Sequence, residues 1–142
     1  IACQLMGRDP VEMGQAAARM ASFGYDIVDI NFGCPVKKVL GRCRGGFLLS
    51  DPCTAIIMVR EVTRAVRVPV TVKMRRGLDD SPASRERFWT ILSAAVDLGI
   101  AGVVVHGRTV EQRYEGPAIW DVIGEVKSRF GHLNVMGSGD LY

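Results

Sequence analysis

Short apolar runs and amphipathic stretches alternate along the chain. The runs Ile1–Leu5, Ile27–Asn31, Val68–Met74, Gly102–His106 and Leu133–Met136 are rich in Val and Ile and predict strands. Between them the apolar positions move to helical spacing. Met13, Ala16, Ala17, Met20 and Phe23 share one face of a first helix, which Gly24 ends. Ile56, Val59, Val62 and Val66 share a face of a second. Phe88, Ile91, Leu92, Ala95 and Leu98 form a third, closed by Gly99, and Ile119, Ile123, Val126 and Phe130 a fourth, closed by Gly131. Asp9-Pro10, Asp51-Pro52 and Ser81-Pro82 each place a capping side chain before a proline that suits the first helical turn. Glu12, three residues after Asp9, fits a capping-box pattern.

Strict alternation of this kind predicts an α/β fold with a parallel sheet and helices outside it. The strands are apolar through most of their length, which predicts burial of both faces. Two architectures compete: an open doubly wound sheet and a (β/α)8 barrel. No G-x-G-x-x-G follows any strand, which counts against a dinucleotide-binding sheet. Polar residues sit at or just past the end of every strand: Gln4, Asn31 with Cys34, Lys73 with Arg75, His106 with Arg108, and Ser138 with Asp140. In a barrel all of those ends converge on one face; in an open sheet only strands beside a switch point face the ligand. The expectation is a partial TIM (β/α)8 barrel of about five parallel strands with intervening helices. A closed barrel needs eight strands, so residues 1–142 are expected to be a segment of a single barrel domain, with bare sheet edges.

Composition adds limits. At 48% hydrophobic and 23% charged the 142 residues match an ordinary globular domain, and no apolar run approaches the roughly 20 residues that cross a bilayer. The first residues lack both an initiator methionine and a signal-peptide pattern, so an internal segment of a longer protein is expected. The four cysteines, Cys3, Cys34, Cys43 and Cys53, form no C-x-x-C pair, and the only histidines are His106 and His132. Neither a zinc site nor a disulfide framework is expected. Reduced cysteines in the cytoplasm are the default, with Cys3, Cys43 and Cys53 expected to be buried and His132 to lie on the surface. A net charge of +3 is weak support for a nucleic-acid partner. Its distribution says more: Lys37, Lys38, Arg42 and Arg44 crowd one loop, while Arg75, Arg76, Arg108 and Arg113 follow other strands. Each of these is either solvated surface or part of a site.

The chemistry concentrates at Asp29-Ile30-Asn31-Phe32-Gly33-Cys34-Pro35-Val36-Lys37-Lys38-Val39. A thiol on a Gly–Pro turn directly after a strand points out of the strand end rather than into a core. A thiol so placed can serve as an acid or as a nucleophile. The two lysines just beyond it attract anions.

This stretch is similar to the signature of tRNA-dihydrouridine synthases. Gln4-Leu5, Val70-Thr71-Val72-Lys73-Met74-Arg75, Val105-His106-Gly107-Arg108-Thr109 and Gly139-Asp140 occur in the same order as in that family and extend the resemblance over the whole chain. The resemblance implies an FMN enzyme that uses NADPH to reduce the C5–C6 bond of selected tRNA uridines. It implies barrel strands three to seven here, with the other strands and a C-terminal helical RNA-binding domain absent. Cys34 would be the proton donor. Gln4, Lys73, His106, Ser138, Gly139 and Asp140 would hold FMN, with Lys73 beside the N1–C2 carbonyl region and the glycine turn on the phosphate. Asn31 would contact uracil or flavin, or instead hold the Cys34 turn. Lys38, with Lys37, would meet tRNA phosphates. No metal and no membrane are implied, and the full-length protein would be a cytoplasmic monomer. The chain departs from the family at Ser138, where asparagine is usual, and around Cys43 and Arg44, where small residues are usual. The alternatives are a flavin barrel acting on a free pyrimidine and a truncated, non-catalytic RNA-binding fragment. A phosphate-sugar barrel without flavin, using Asp29 or Asp140, is a distant third.

Overall fold

The computed structural model describes residues 1–140. Five strands, β1 (Ala2–Leu5), β2 (Ile27–Phe32), β3 (Val70–Arg75), β4 (Gly102–His106) and β5 (Asn134–Ser138), form one sheet in the order β1-β2-β3-β4-β5. Every neighbouring pair is parallel. Strand order that follows chain order without reversal has no switch point, which is the arrangement of a barrel wall and not of a doubly wound sheet.

The helices are α1 (Pro10–Ser22), α2 (Lys37–Leu40), α3 (Pro52–Ala65), α4 (Pro82–Asp97) and α5 (Asp121–Arg129), with a 3-10 turn at Gly45–Ser50. The three expected caps are in place. The Asp9, Asp51 and Ser81 side chains accept from the N–H groups of Glu12, Thr54 and Ser84, satisfying donors that a first helical turn leaves unpaired. Gly24 and Gly99 adopt φ of 89° and 85° just past α1 and α4, a conformation only glycine takes cheaply. None of the described helices is long and apolar enough to cross a membrane.

Several expectations are corrected. Helix α5 begins at Asp121, so Ile119 lies outside it and is exposed, and Val122 takes the buried place instead. Strand β5 extends to Ser138 because Gly137 and Ser138 pair with Val105 and His106; both are strand residues, not turn residues. The short helix α2 and the 3-10 turn had no periodic signal, because each spans about one turn or two.

The sheet is buried on one face only. Val28, Ile30, Phe32, Val70, Val72, Met74, Val103 and Val105 pack against Met13 and Ala17 of α1, Met58, Val59 and Val62 of α3, Phe88, Ile91 and Leu92 of α4, and Val126 of α5. The alternate positions Asp29, Asn31, Thr71, Lys73, Val104 and His106 point the other way and are half-buried. The expectation of two buried faces fails because five strands leave the concave face open. The polar residues at every second position of β2 and β3 belong to that face.

Candidate functional site

Side chains on the open face meet at the C-terminal ends of the strands. Strand register sets Asn31 beside Lys73, and His106 between Arg75 and Ser138. Adjacent parallel strands lie about 4.8 Å apart, so residues distant in the chain become neighbours on one rim.

The Cys34 turn is held from several directions. Asn31 Oδ1 accepts from the backbone N–H of Gly33 and of Cys34, both at 3.0 Å, as Asn does where a strand ends in a turn. The Gly46 N–H donates to the Cys34 carbonyl at 3.0 Å, and Arg75 Nε donates to the Gly33 carbonyl at 3.0 Å. Gly45 has φ +58°, and a Cβ there would lie 2.8 Å from Cys34 Cβ, so only glycine fits. Cys34 itself is half-buried.

A second set of hydrogen bonds crosses β1, β2 and β3. Thr71 Oγ1 donates to Asp29 Oδ1 at 2.6 Å, and Gln4 Nε2 donates to Asp29 Oδ2 at 2.6 Å. Asn31 Nδ2 donates to Gln4 Oε1 at 2.8 Å. Beside them, the Lys73 ammonium forms no salt bridge among the described residues. Burial and then the Arg75 guanidinium lower its pKa, with Asp29 pulling the other way.

His106 Nδ1 accepts from the backbone N–H of Arg108 at 3.1 Å. That bond requires a lone pair on Nδ1, which assigns the neutral ring's proton to Nε2. Burial first, then Arg75, Lys73 and Arg108, push the His106 pKa from 6.5 down to about 4. Asp140 Oδ1 accepts from Arg108 at 2.6 Å and Oδ2 from the Ala118 N–H at 2.7 Å. Those bonds hold its carboxyl below the usual range. Ser138 Oγ is buried with no hydrogen-bond partner. Gly139 has φ +103°, and a Cβ there would lie 3.0 Å from both His106 Cε1 and Ala118 Cβ.

Arg75 is the most buried charged residue, at 3% exposure, and its guanidinium lies over the Tyr114 ring. Arg108 is also buried, so neither belongs to a solvated basic surface. Lys37, Lys38, Arg42 and Arg113 are exposed. Cys43 and Cys53 are exposed and Cys3 half-buried, contrary to the expectation of three buried thiols. Cys53 sits in the first turn of α3 and Cys43 has φ 55°; both face solvent because of turn geometry that apolar patterning does not encode.

The structure brings Gln4, Asn31, Cys34, Lys73, His106, Ser138 and Gly139 to one rim. Sequence reasoning gave no role to Thr71, Gly45 or Gly46, and considered Asp29 only as a base in a barrel without flavin. The spacing Asp29-x-Asn31 and Thr71-x-Lys73, polar at period two within apolar strands, was the available signal. A concavity of about 910 Å³ lies lower on the open face, lined by Ala2, Ile27, Val104 and Met136 and reaching Gln4 and Asp29. It excludes Cys34, Lys73 and His106, which stand beyond it toward the C-terminal ends of the strands.

Five parallel strands in chain order, with polar groups at their C-terminal ends, define a barrel-type α/β protein. The family model for dihydrouridine synthase (Dus) matches residues 1–142, and the chain belongs to that family. It is 44% identical over 138 residues to a probable tRNA-dihydrouridine synthase of Rhizobium leguminosarum bv. phaseoli, covering 97% of this chain and 42% of that protein. A probable tRNA-dihydrouridine synthase of Rickettsia prowazekii is 40% identical over 97% of this chain and 41% of its own length. The tRNA-dihydrouridine synthase B of Xanthomonas campestris pv. campestris is 37% identical over 99% of this chain and 41% of its own length. The chain therefore spans about two fifths of the length of these relatives.

Proposed function

We propose that this chain is part of an FMN-binding barrel that reduces the C5–C6 bond of uridines in tRNA to dihydrouridine, with NADPH as the source of electrons. The observation that carries the reading is Lys73: an ammonium without a salt bridge among the described residues, partly desolvated, on the same rim as Cys34 and His106. A cation held in that state is suited to an anionic partner.

The residues present fit FMN. The buried, unpartnered Ser138 Oγ is a hydrogen-bonding group waiting for a polar ligand atom. Gly139, with its positive φ and no room for a side chain, lets backbone approach a phosphate closely. The Asp140 carboxylate is taken by Arg108 and Ala118, so its part is to hold this turn in shape. Lys73 would lie against the flavin's N1–C2 carbonyl region, and His106, neutral, would offer its Nε2–H to the cofactor. When bound, reduced FMN supplies the hydride for uracil C6.

The chain's own residues supply the rest. Cys34 gives its thiol proton to C5, and the thiolate is reprotonated from solvent. The bonds from Asn31, Gly46 and Arg75 hold that turn at a set height above the sheet. Exposed Lys38, with Lys37, stands beyond Cys34 where phosphates of a strand carrying a flipped-out base would pass. The remaining barrel strands and a helical RNA-binding domain belong to other parts of a cytoplasmic, monomeric protein. The relatives' greater length supports further parts beyond these strands.

The test is to purify the full-length protein, record its visible spectrum and incubate it with NADPH and tRNA lacking dihydrouridine. A flavin spectrum and uridines that gain a pair of hydrogens by mass mapping are expected. A colourless protein, or one that reduces free uracil and leaves tRNA unchanged, would overturn the reading.

A further inference from the structure

We infer that Asp29 is a positioning residue, which sets the orientation of two amide side chains and through them the shape of the Cys34 turn; its catalytic consequence rests on the proposed function. The inference starts from hydrogen-bond polarity. A carboxylate only accepts, so an amide facing it must present its NH2 end. Gln4 Nε2 does so, at 2.6 Å from Asp29 Oδ2. That turns Gln4 Oε1 toward β2, where it accepts from Asn31 Nδ2 at 2.8 Å. Asn31 must then turn Oδ1 the other way, toward the N–H groups of Gly33 and Cys34.

The far end of the chain of bonds requires the same answer. Backbone N–H groups only donate, so the Asn31 atom facing them must be oxygen. The two ends, one acceptor-only and the other donor-only, are independent and agree. Neither amide can flip without placing donor against donor or acceptor against acceptor. Thr71 completes the anchor by donating to the other carboxylate oxygen at 2.6 Å, so both Asp29 oxygens are engaged. Asp29 touches no residue of the turn, yet it is the sole carboxylate in the relay that ends there.

Polarity also decides what the rim presents. Asn31 Oδ1 is filled by two N–H groups, so what Asn31 has left for a ligand is its second Nδ2 hydrogen, a donor suited to a carbonyl oxygen or an unprotonated ring nitrogen. Asp29 anchors this polarity from the strand side; an apolar residue there would leave it held from the turn alone.

The test uses the full-length protein and reads hydrogen exchange across residues 31–36 by mass spectrometry alongside turnover on tRNA. Asp29→Ala is expected to speed exchange at Gly33 and Cys34 about tenfold, the cost of one lost net hydrogen bond, and to leave Val103–Val105 protected. Asn31→Ala, which removes the acceptor itself, should accelerate exchange at least as much, and the double variant no more than Asn31→Ala alone. Asp29→Asn should restore slow exchange and turnover, since its oxygen can accept from Gln4 while Thr71 Oγ1 turns to accept from its NH2. Wild-type exchange in Asp29→Ala, additive effects in the double variant, or Asp29→Asn behaving as Asp29→Ala would each overturn the inference. A protein that reduces no tRNA but shows this exchange pattern would sink the proposed function alone.

Discussion

Arg75 Nε donates to the Gly33 carbonyl at 3.0 Å, joining the end of β3 to the residue just before Cys34. The same guanidinium donates through Nη1 to the carbonyls of Thr109 at 2.8 Å and Arg113 at 2.6 Å. One buried cation thus binds the β2 turn to the loop after β4. The carbonyls neutralise it only in part, and burial first, with Arg108 adding to it, lowers its pKa.

Replacing Arg75 by methionine would keep the stem's packing and leave those carbonyls without donors. The expected loss is about 2–4 kcal/mol of stability, measured by chemical denaturation of the full-length protein. Turnover should fall in the fraction that remains folded, because the Cys34 turn loses one of its holds.

Cys34→Ala tests the proton donor. Stability should change by less than about 1 kcal/mol, since only one half-buried sulfur is removed. Flavin colour should persist while reduction of tRNA uridine drops by about 10²–10⁴-fold, read by mass mapping. Unchanged turnover would remove Cys34 from the proposed chemistry.

Lys73→Met separates function from folding. A partly desolvated cation without a salt bridge among the described residues costs the fold energy, so the variant should be as stable as the parent or more so. Its affinity for FMN should be weaker by about tenfold or more, measured by fluorescence titration. Loss of stability with unaltered FMN affinity would contradict the assigned role.

His106 makes a pH-dependent contribution. Its pKa is about 4 when folded against 6.5 ordinarily, so the unfolded chain binds this proton first as pH falls. The stability is intact above pH 6.5 and is lost as pH falls through the folded value near 4. Allowing for solvent screening at a partly exposed ring, the loss is about 1 kcal/mol. His106→Asn keeps an acceptor for the Arg108 N–H and should flatten this part of the curve of denaturation midpoint against pH. Asp79 and Asp140, whose pKa values are depressed, should still lose stability at lower pH.

Much of the fold was written locally. Asp9, Asp51 and Ser81 cap helices through atoms three residues away, and Val103, Val104 and Val105 form a strand through their own β-branched preference. The rim was legible as well, because each strand carries its own polar residue at or near its C-terminal end. Period-two polarity in β2 and β3 was present but masked by the apolar residues between.

Two properties were decided only by the tertiary structure. The burial of Arg75 and the relay from Asp29 to the Cys34 turn both depend on groups far apart in the chain meeting. Arg75 meets Gly33 across 42 positions, and Gln4 meets Asp29 across 25. Such pairs follow from strand register, which arises when the helices pack against one face of the sheet. No window of sequence contains both partners, so patterning named the side chains at the rim while packing chose which of them hold the site and which are left free to act.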